Sequence, residues 1–186
     1  MPRVIAGKCK GIPLLAPKGD TTRPTTDKVK EALFSIIMMR IPNSQFLDLF
    51  SGSGQMGIEA VSRGAKSAYL VDENARSAFA ITENIRKTHL EEQILFYKRD
   101  VFSLLRQLGE EKKLFDIIYM DPPYVLSKKY AEKIAKTVCE YNLLSEDGIM
   151  IVEHAQEDVL PENVTNLTFN RRCKYGSTVL TFYTRC

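Results

Sequence analysis

At 186 residues, with 44% apolar and 26% charged side chains and a net charge of +3, the chain is large enough for one substantial core without metal or disulfide support. Its four cysteines, Cys9, Cys139, Cys173 and Cys186, are scattered and include no CxxC pair, which favours reduced thiols over a zinc site. Met1-Pro2-Arg3 does not lead into the apolar stretch of a secretory signal and no apolar run is long enough to span a membrane, so a cytoplasmic protein with no bound metal is expected.

The first segment is basic. Residues 1–30 carry seven basic groups (Arg3, Lys8, Lys10, Lys18, Arg23, Lys28, Lys30) against Asp20 and Asp27, whereas the rest of the chain is slightly acidic. Gly7, Gly11, Pro13, Pro17 and Gly19 argue for an extended or hairpin-like arm over residues 1–24. A basic arm on a near-neutral body suits a polyanionic partner touched mainly from one end.

From residue 25 the pattern alternates, and residues 25–186 read as one domain. Thr25 or Thr26 caps a helix in which Val29, Leu33, Ile36 and Ile37 follow helical spacing, and Pro42-Asn43-Ser44 ends it. Phe46 to Phe50 is a strand, Gly54 to Ser62 a helix, Ala68 to Val71 a strand and Asn74 to Thr88 a helix. Ile94 to Tyr97 follows as a strand, Val101 to Leu108 as a short helix, Phe115 to Met120 as a strand and Lys129 to Tyr141 as a helix. Ser145-Glu146-Asp147-Gly148 is expected to turn the chain into Ile149 to Val152. Asn166 to Arg172 and Thr178 to Tyr183, divided by Tyr175-Gly176, read as an antiparallel hairpin. The fold class is therefore α/β: a doubly wound, mostly parallel sheet of seven strands with a C-terminal antiparallel hairpin and one reversed edge strand.

Two motifs carry chemistry. Asp121-Pro122-Pro123-Tyr124 follows a β-branched strand, and two prolines cannot continue a ladder, so the chain must turn outward at a strand's carboxyl end. That turn offers a carboxylate, the Pro122 carbonyl and an aromatic ring, a set suited to holding an exocyclic amine while stacking its ring. Asp48-Leu49-Phe50-Ser51-Gly52-Ser53-Gly54 lies at the first strand-to-helix turn, where glycines let a ligand approach backbone N–H groups.

A dinucleotide site competes for the second motif. Gly52, Gly54 and Gly57 satisfy G-x-G-x-x-G, and Asp72 follows about 20 residues on. Against it stands Asp48, four residues before the first glycine, where a fixed negative charge repels a pyrophosphate and attracts an α-amino group. The amino-heterocycle site at Asp121 also has no part in hydride transfer. S-adenosylmethionine is thus favoured over NAD, with Asp72 accepting from ribose hydroxyls. His89 and His154 show no partners and are not expected to be catalytic.

Over nearly its whole length the chain resembles the RsmD-type 16S ribosomal RNA guanine-N2 methyltransferases. The resemblance rests on Arg3 to Lys8, Thr22 to Phe34, Asp48 to Gly54, Glu59 to Ala65, Asp121 to Tyr124 and Tyr175-Gly176. It departs at Ser51, where the family often has alanine, and at Asp72, where many relatives have glutamate. It implies a Rossmann-like methyltransferase sheet and S-adenosylmethionine as cofactor. Asp48, Ser51, Gly52 and Gly54 would hold its methionine part, Asp72 its ribose, Asp100 and Val101 its adenine, and Thr25 and Thr26 its carboxylate. Asp121, Pro122 and Tyr124 would orient and stack the target guanine. Arg3, Lys8, Lys10, Arg23, Arg171 and Arg172, with Lys174 nearby, would touch RNA phosphates. The implied partner is 16S rRNA or the small ribosomal subunit, with a monomer favoured.

Other readings share the pocket. A DNA adenine-N6 methyltransferase usually needs a target-recognition insert, for which the chain has no room. A protein glutamine methyltransferase normally has asparagine at the position of Asp121. A catalytically silent RNA-binding module would not need Asp48, Asp72 and Asp121 together.

Overall fold

The computed structural model describes residues 2–17, 25–122, 127–158 and 160–185. The central parallel strands are near-continuous buried runs, so this part of the sheet buries both faces and must be covered twice. Phe46, Ala68, Leu70, Ile117 and Tyr119 face a core shared with α1 (Asp27–Ile36), α2 (Gln55–Ser62), α3 (Ala75–Thr88) and the N-terminal arm. Leu47, Leu49, Val71, Ile118 and Met120 face the other core, with α4 (Val101–Glu110) and α5 (Ser127–Glu140).

The strands are β1 (Gln45–Leu49), β2 (Ser67–Val71), β3 (Ile94–Tyr97), β4 (Phe115–Met120), β5 (Leu144–Ala155), β6 (Asn163–Val164), β7 (Leu167–Tyr175) and β8 (Thr178–Arg185). They form one sheet in the order β3-β2-β1-β4-β5-β8-β7-β6. β3, β2, β1, β4 and β5 are mutually parallel, and β8, β7 and β6 join by antiparallel pairing. The chain steps outward from β1 to β3 and then returns to β4 on the other side of β1. That reversal opens a crevice at the carboxyl ends of β1 and β4.

The expected architecture is present with three corrections. The sheet has eight strands, because the two-residue β6 pairs with β7 and is too short to leave a sequence pattern. The reversed strand next to the parallel set is β8, and it lies inside the sheet between β5 and β7. Ser145 to Gly148 do not form a turn before the strand: β5 starts at Leu144, and the register slips between the Phe115–Leu144 and Ile117–Ile149 pairs, so these residues bulge within it.

Residues 2–17 fold back on themselves. The Val4 amide donates to the Ile12 carbonyl (3.0 Å), Gly11 to Val4 (2.8 Å) and Leu14 to Pro2 (2.8 Å). Val4, Cys9 and Leu14 are buried against the body. Gly7 has φ +82°, and a Cβ there would stand 1.8 Å from the Ser62 carbonyl oxygen, so only glycine lets the arm lie this close to α2. Beneath it, Glu59 accepts from the Ile5 and Ala6 amides (2.8 and 3.0 Å) and pairs with Arg63 at 2.7 Å. Lys30, fully buried, lies 3.8 Å from Glu59 and donates to the Arg3 carbonyl at 2.5 Å and to Gln55 Oε1 at 3.2 Å. Burial lowers the Lys30 pKa more strongly than Glu59 raises it. Asn84 on α3 accepts from the Leu15 amide and donates to the Leu15 and Ser53 carbonyls, joining the arm to the first strand-to-helix turn.

Candidate functional site

At the carboxyl ends of β1, β2 and β4 lies a cleft of about 430 Å³. Its edge includes Pro2, Ala16 and Pro17, so the arm forms part of the wall. Its walls also carry Asp48, Asp72, Glu73, Asp100 and Asp121, against Arg99 as the basic lining group among the described residues. A cavity so lined favours a cationic guest and disfavours a pyrophosphate.

Asp48 is the sharpest feature. It sits on the arm-side face of β1, with Tyr119 as its register partner on β4, and is 1% exposed. Neither carboxylate oxygen has a hydrogen-bond partner among the described residues. The Gly57 amide and Ser51 side chain ease its charge without bonding it at normal geometry, since the Ser51 hydroxyl donates to the Asp48 backbone carbonyl at 2.8 Å. Burial therefore dominates, and with the negative charge of Asp72 it pushes the carboxyl up to about 7. A buried acceptor pair without donors is costly unless a ligand completes it. An ammonium group is the complement it lacks.

The glycine turn is built around its neighbours. Ser51 ties β1 to β2: its amide donates to the Val71 carbonyl at 3.0 Å, and its hydroxyl accepts from the Val71 amide at 3.0 Å. Gly52, at φ +55°, donates its amide to Asp72 Oδ2 at 2.9 Å, and Asp72 Oδ1 accepts from Asn74 N–H at 2.9 Å. The Asp72 carboxylate is thereby fixed at the end of β2. Gly54, at φ +76°, caps α2 and packs towards Leu70 and Ile81, supporting the turn from behind. Asp100 lines the cleft with Val101 and also caps α4, accepting from Ser103 N–H at 2.9 Å.

The two threonines part company. Thr25 reaches the cleft, whereas Thr26 caps α1 by accepting from the Val29 amide at 3.3 Å and does not line it. Asp121 and Pro122 stand at the end of β4 in the cleft wall. Burial, then the charges of Glu153 and Asp48, hold the Asp121 carboxyl well above its ordinary value. Tyr124 and Arg23 lie outside the described residues.

The other basic residues are dispersed. Arg3 pairs with Asp27 at 3.0 Å, Lys8 donates to Gln93, and Lys10 is exposed. Arg171, Arg172 and Lys174 are exposed on β7; the Arg172 guanidinium donates to Thr181 Oγ1 (3.3 Å) and lies 5.3 Å from the Phe169 ring centre.

Several cleft residues left little trace in the sequence. Phe50 lines it with φ +70°, an uncommon backbone state for an aromatic residue. It packs on Tyr130 of α5 (5.9 Å between ring centres), which in turn meets Phe102 edge-on at 5.3 Å, giving one wall an aromatic surface. Tyr119 lines the floor and donates to Glu153 Oε2 at 2.6 Å. His154, expected to lack partners, is buried and bonded to the Ala155 carbonyl (2.8 Å) and to Thr181 Oγ1 (2.7 Å), so its ring is engaged in the sheet. His89 caps α3 in the left-handed conformation.

Comparison with known proteins gives a consistent result. The family described as "Conserved hypothetical protein 95" matches residues 2–184. YlbH of Bacillus subtilis (strain 168), provisionally named an rRNA methyltransferase, is 38% identical over 181 residues, covering 97% of each chain. "Ribosomal RNA small subunit methyltransferase D" of Haemophilus influenzae is 33% identical over 168 residues, covering 89% of this chain and 86% of its own. A solved structure of a hypothetical protein from Thermus thermophilus superposes with a TM-score of 0.86 at 27% identity, covering 99% of both chains.

Proposed function

The chain belongs to the family described as Conserved hypothetical protein 95, and from that membership we propose that it is a methyltransferase using S-adenosylmethionine to methylate the exocyclic N2 amine of a guanine in small-subunit ribosomal RNA. The observation that carries the cofactor reading is Asp48, a buried carboxylate whose two oxygens lack donors among the described residues, in a cleft whose charged lining is mostly acidic. The residues present fit this cofactor. Asp48 would meet the α-amino group, the Ser51–Gly52 turn the rest of the methionine part, Asp72 the ribose, and Asp100 with Val101 the adenine. When bound, S-adenosylmethionine supplies a methyl group on a sulfonium and leaves as a neutral thioether.

The chain's own task is placement. Guanine N2 is a poor nucleophile because its lone pair is delocalised into the ring. Hydrogen bonds from that amine to the Asp121 carboxylate and the Pro122 carbonyl would turn the lone pair outward and offset the positive charge that develops on nitrogen. Asp121 would then take the proton the nitrogen sheds. Tyr124 would stack on the base, which must be unpaired or extruded to enter. Lys8, Lys10 and Arg23 on the arm, with Arg3, Arg171 and Arg172, would position the RNA through its phosphates. Work on ribosomal RNA fits a cytoplasmic protein, and among the described residues no helix is long and apolar enough to cross a membrane.

The test offers labelled S-adenosylmethionine with small subunits from cells lacking this gene, and with naked rRNA, DNA and protein in parallel. Label recovered as N2-methylguanine in small-subunit rRNA is the expected result. Label confined to DNA or protein would overturn the substrate, and no transfer to any acceptor would overturn the reaction.

A further inference from the structure

Residues on one face of β1, β4 and β5 change character where the strands reach the cleft. Phe46, Ile117, Ile149 and Ile151 belong to the arm-side core, and two residues beyond Phe46, Ile117 and Ile151 that same face holds Asp48, Tyr119 and Glu153. Glu153 is 5% exposed. Its Oε2 accepts from the Tyr119 hydroxyl at 2.6 Å and from the Thr25 hydroxyl at 3.2 Å, and the two hydroxyls lie 3.4 Å apart. Thr25 is held from its other side by Gln55, which donates to its carbonyl at 3.4 Å. Tyr119 and Thr25 both line the cleft, so Glu153 anchors its floor from beneath.

Glu153 also stands beside the reacting end. Met120 is paired with Val152, so Asp121 and Glu153 are the next residues along adjacent parallel strands. Among the described residues, the charged groups bearing on Asp121 are Glu153 from β5 and Asp48 from β1, both negative, and the Tyr119 hydroxyl of β4 feels Asp121 and Glu153 alike. Two carboxylates at close quarters resist being ionised together, so each makes the other a better proton acceptor.

On the methyl-transfer reading above, we propose that Glu153 is a positioning residue of the reaction: it fixes Tyr119 and Thr25 on the cleft floor, and its charge strengthens Asp121 as the acceptor of the proton released from the methylated amine. The balance is simple. The nitrogen–methyl bond forms as the sulfur–methyl bond breaks, the bonding pair stays on sulfur, and one proton passes from nitrogen to the Asp121 carboxylate. Glu153 itself exchanges nothing with the substrate.

The test compares wild type with Glu153→Gln, Glu153→Asp and Tyr119→Phe on unmethylated small subunits, reading kcat across pH and cofactor affinity by calorimetry. Glu153→Gln keeps the shape and loses the charge. It should lower kcat by tenfold or more and move the acid limb of the kcat profile to lower pH by about one unit, while cofactor affinity changes less than threefold. Glu153→Asp should restore the position of that limb, and Tyr119→Phe should lower kcat and leave the limb in place, since the charge remains. Wild-type kcat and an unmoved limb in Glu153→Gln would overturn the proposal. Should Glu153→Gln fail to fold, a limb in Glu153→Asp displaced from its wild-type position would overturn it instead. Wild-type protein inactive on every acceptor would count against the methyl-transfer reading, whereas an active wild type with indifferent variants would count against Glu153 alone.

Discussion

Two clusters of buried charge lie on the same side of the sheet and differ in one respect. Under the arm, Lys30 and Arg63 both pair with Glu59, whose carboxylate is completed by the Ile5 and Ala6 amides. At the cleft, Asp48, Asp121 and Glu153 are all acidic, and Asp48 has no donors among the described residues. Both clusters carry the cost of taking charge out of water. The first is balanced within the chain and holds the arm to the body. The second is left short of positive charge, and that deficit is what a cationic ligand can relieve.

Breaking each cluster should therefore have opposite signatures. The largest effect is expected for Asp121→Ala: methyl transfer abolished, cofactor affinity within about tenfold, or ~1.4 kcal/mol, by calorimetry. Near-normal turnover in that variant would sink the proposed role. Glu59→Leu strips the paired cluster of its acceptor and leaves Lys30 buried without its carboxylate. We expect a loss of roughly 3–5 kcal/mol in denaturant unfolding, with the arm released from α2. A loss below about 1 kcal/mol would mean that the arm is held mainly by its apolar contacts and its bonds to Ser62 and Asn84.

Asp48→Asn should do the reverse to the ligand-free protein. A carboxyl raised from 3.8 to about 7 in the fold binds protons more tightly there than in the unfolded chain. Its contribution to stability is therefore intact below about pH 4, declines as pH rises, and is fully lost above about pH 7. Removing the charge should stabilise the ligand-free protein at pH 8 by an amount on the order of 4 kcal/mol, have little effect near pH 4, and eliminate cofactor binding. Melting curves at the two pH values check this, and equal shifts at both would show that the Asp48 charge is not the cause. The smallest effect concerns the basic arm. Neutralising Lys8, Lys10 and Arg23 should weaken RNA binding and flatten its dependence on salt, each lost phosphate contact reducing the log–log slope by about 0.7–0.9. An unchanged slope would take the arm out of the interface.

The difference between the clusters also explains how far the sequence could be read. Asp48 and Asp121 were legible because glycines and prolines, which turn the chain out of the sheet at strand ends, stand beside them. The parallel half of the sheet was legible because its strands are short apolar runs separated by amphipathic helices. Glu153 was not, since its partner Tyr119 is 34 residues away and the two meet only through the pairing of β4 with β5. A signal did exist: in Ile149-Met150-Ile151-Val152-Glu153 an acid falls on the phase of two buried isoleucines. Lys30 was hidden in the opposite way, because on a capped amphipathic helix a lysine reads as a solvated residue until the arm is seen lying over it. The bulge in β5 and the two-residue β6 have no local pattern at all, as both are imposed by neighbouring strands.

The place of β8 bears on how the protein comes into being on a ribosome. β5 presents an unpaired edge as soon as it is made, and the strand that fills it, β8, is translated after β7, which must stand one place further out. Until residues 178–185 have emerged, the sheet cannot be completed by adding strands in order, and β7 has no correct neighbour on its β5 side. The nascent chain must keep the β5 edge from pairing with β7 directly or with another chain during that interval. A protein of this topology thus depends on the last strand of its sheet both to finish the fold and to close its most exposed route to aggregation.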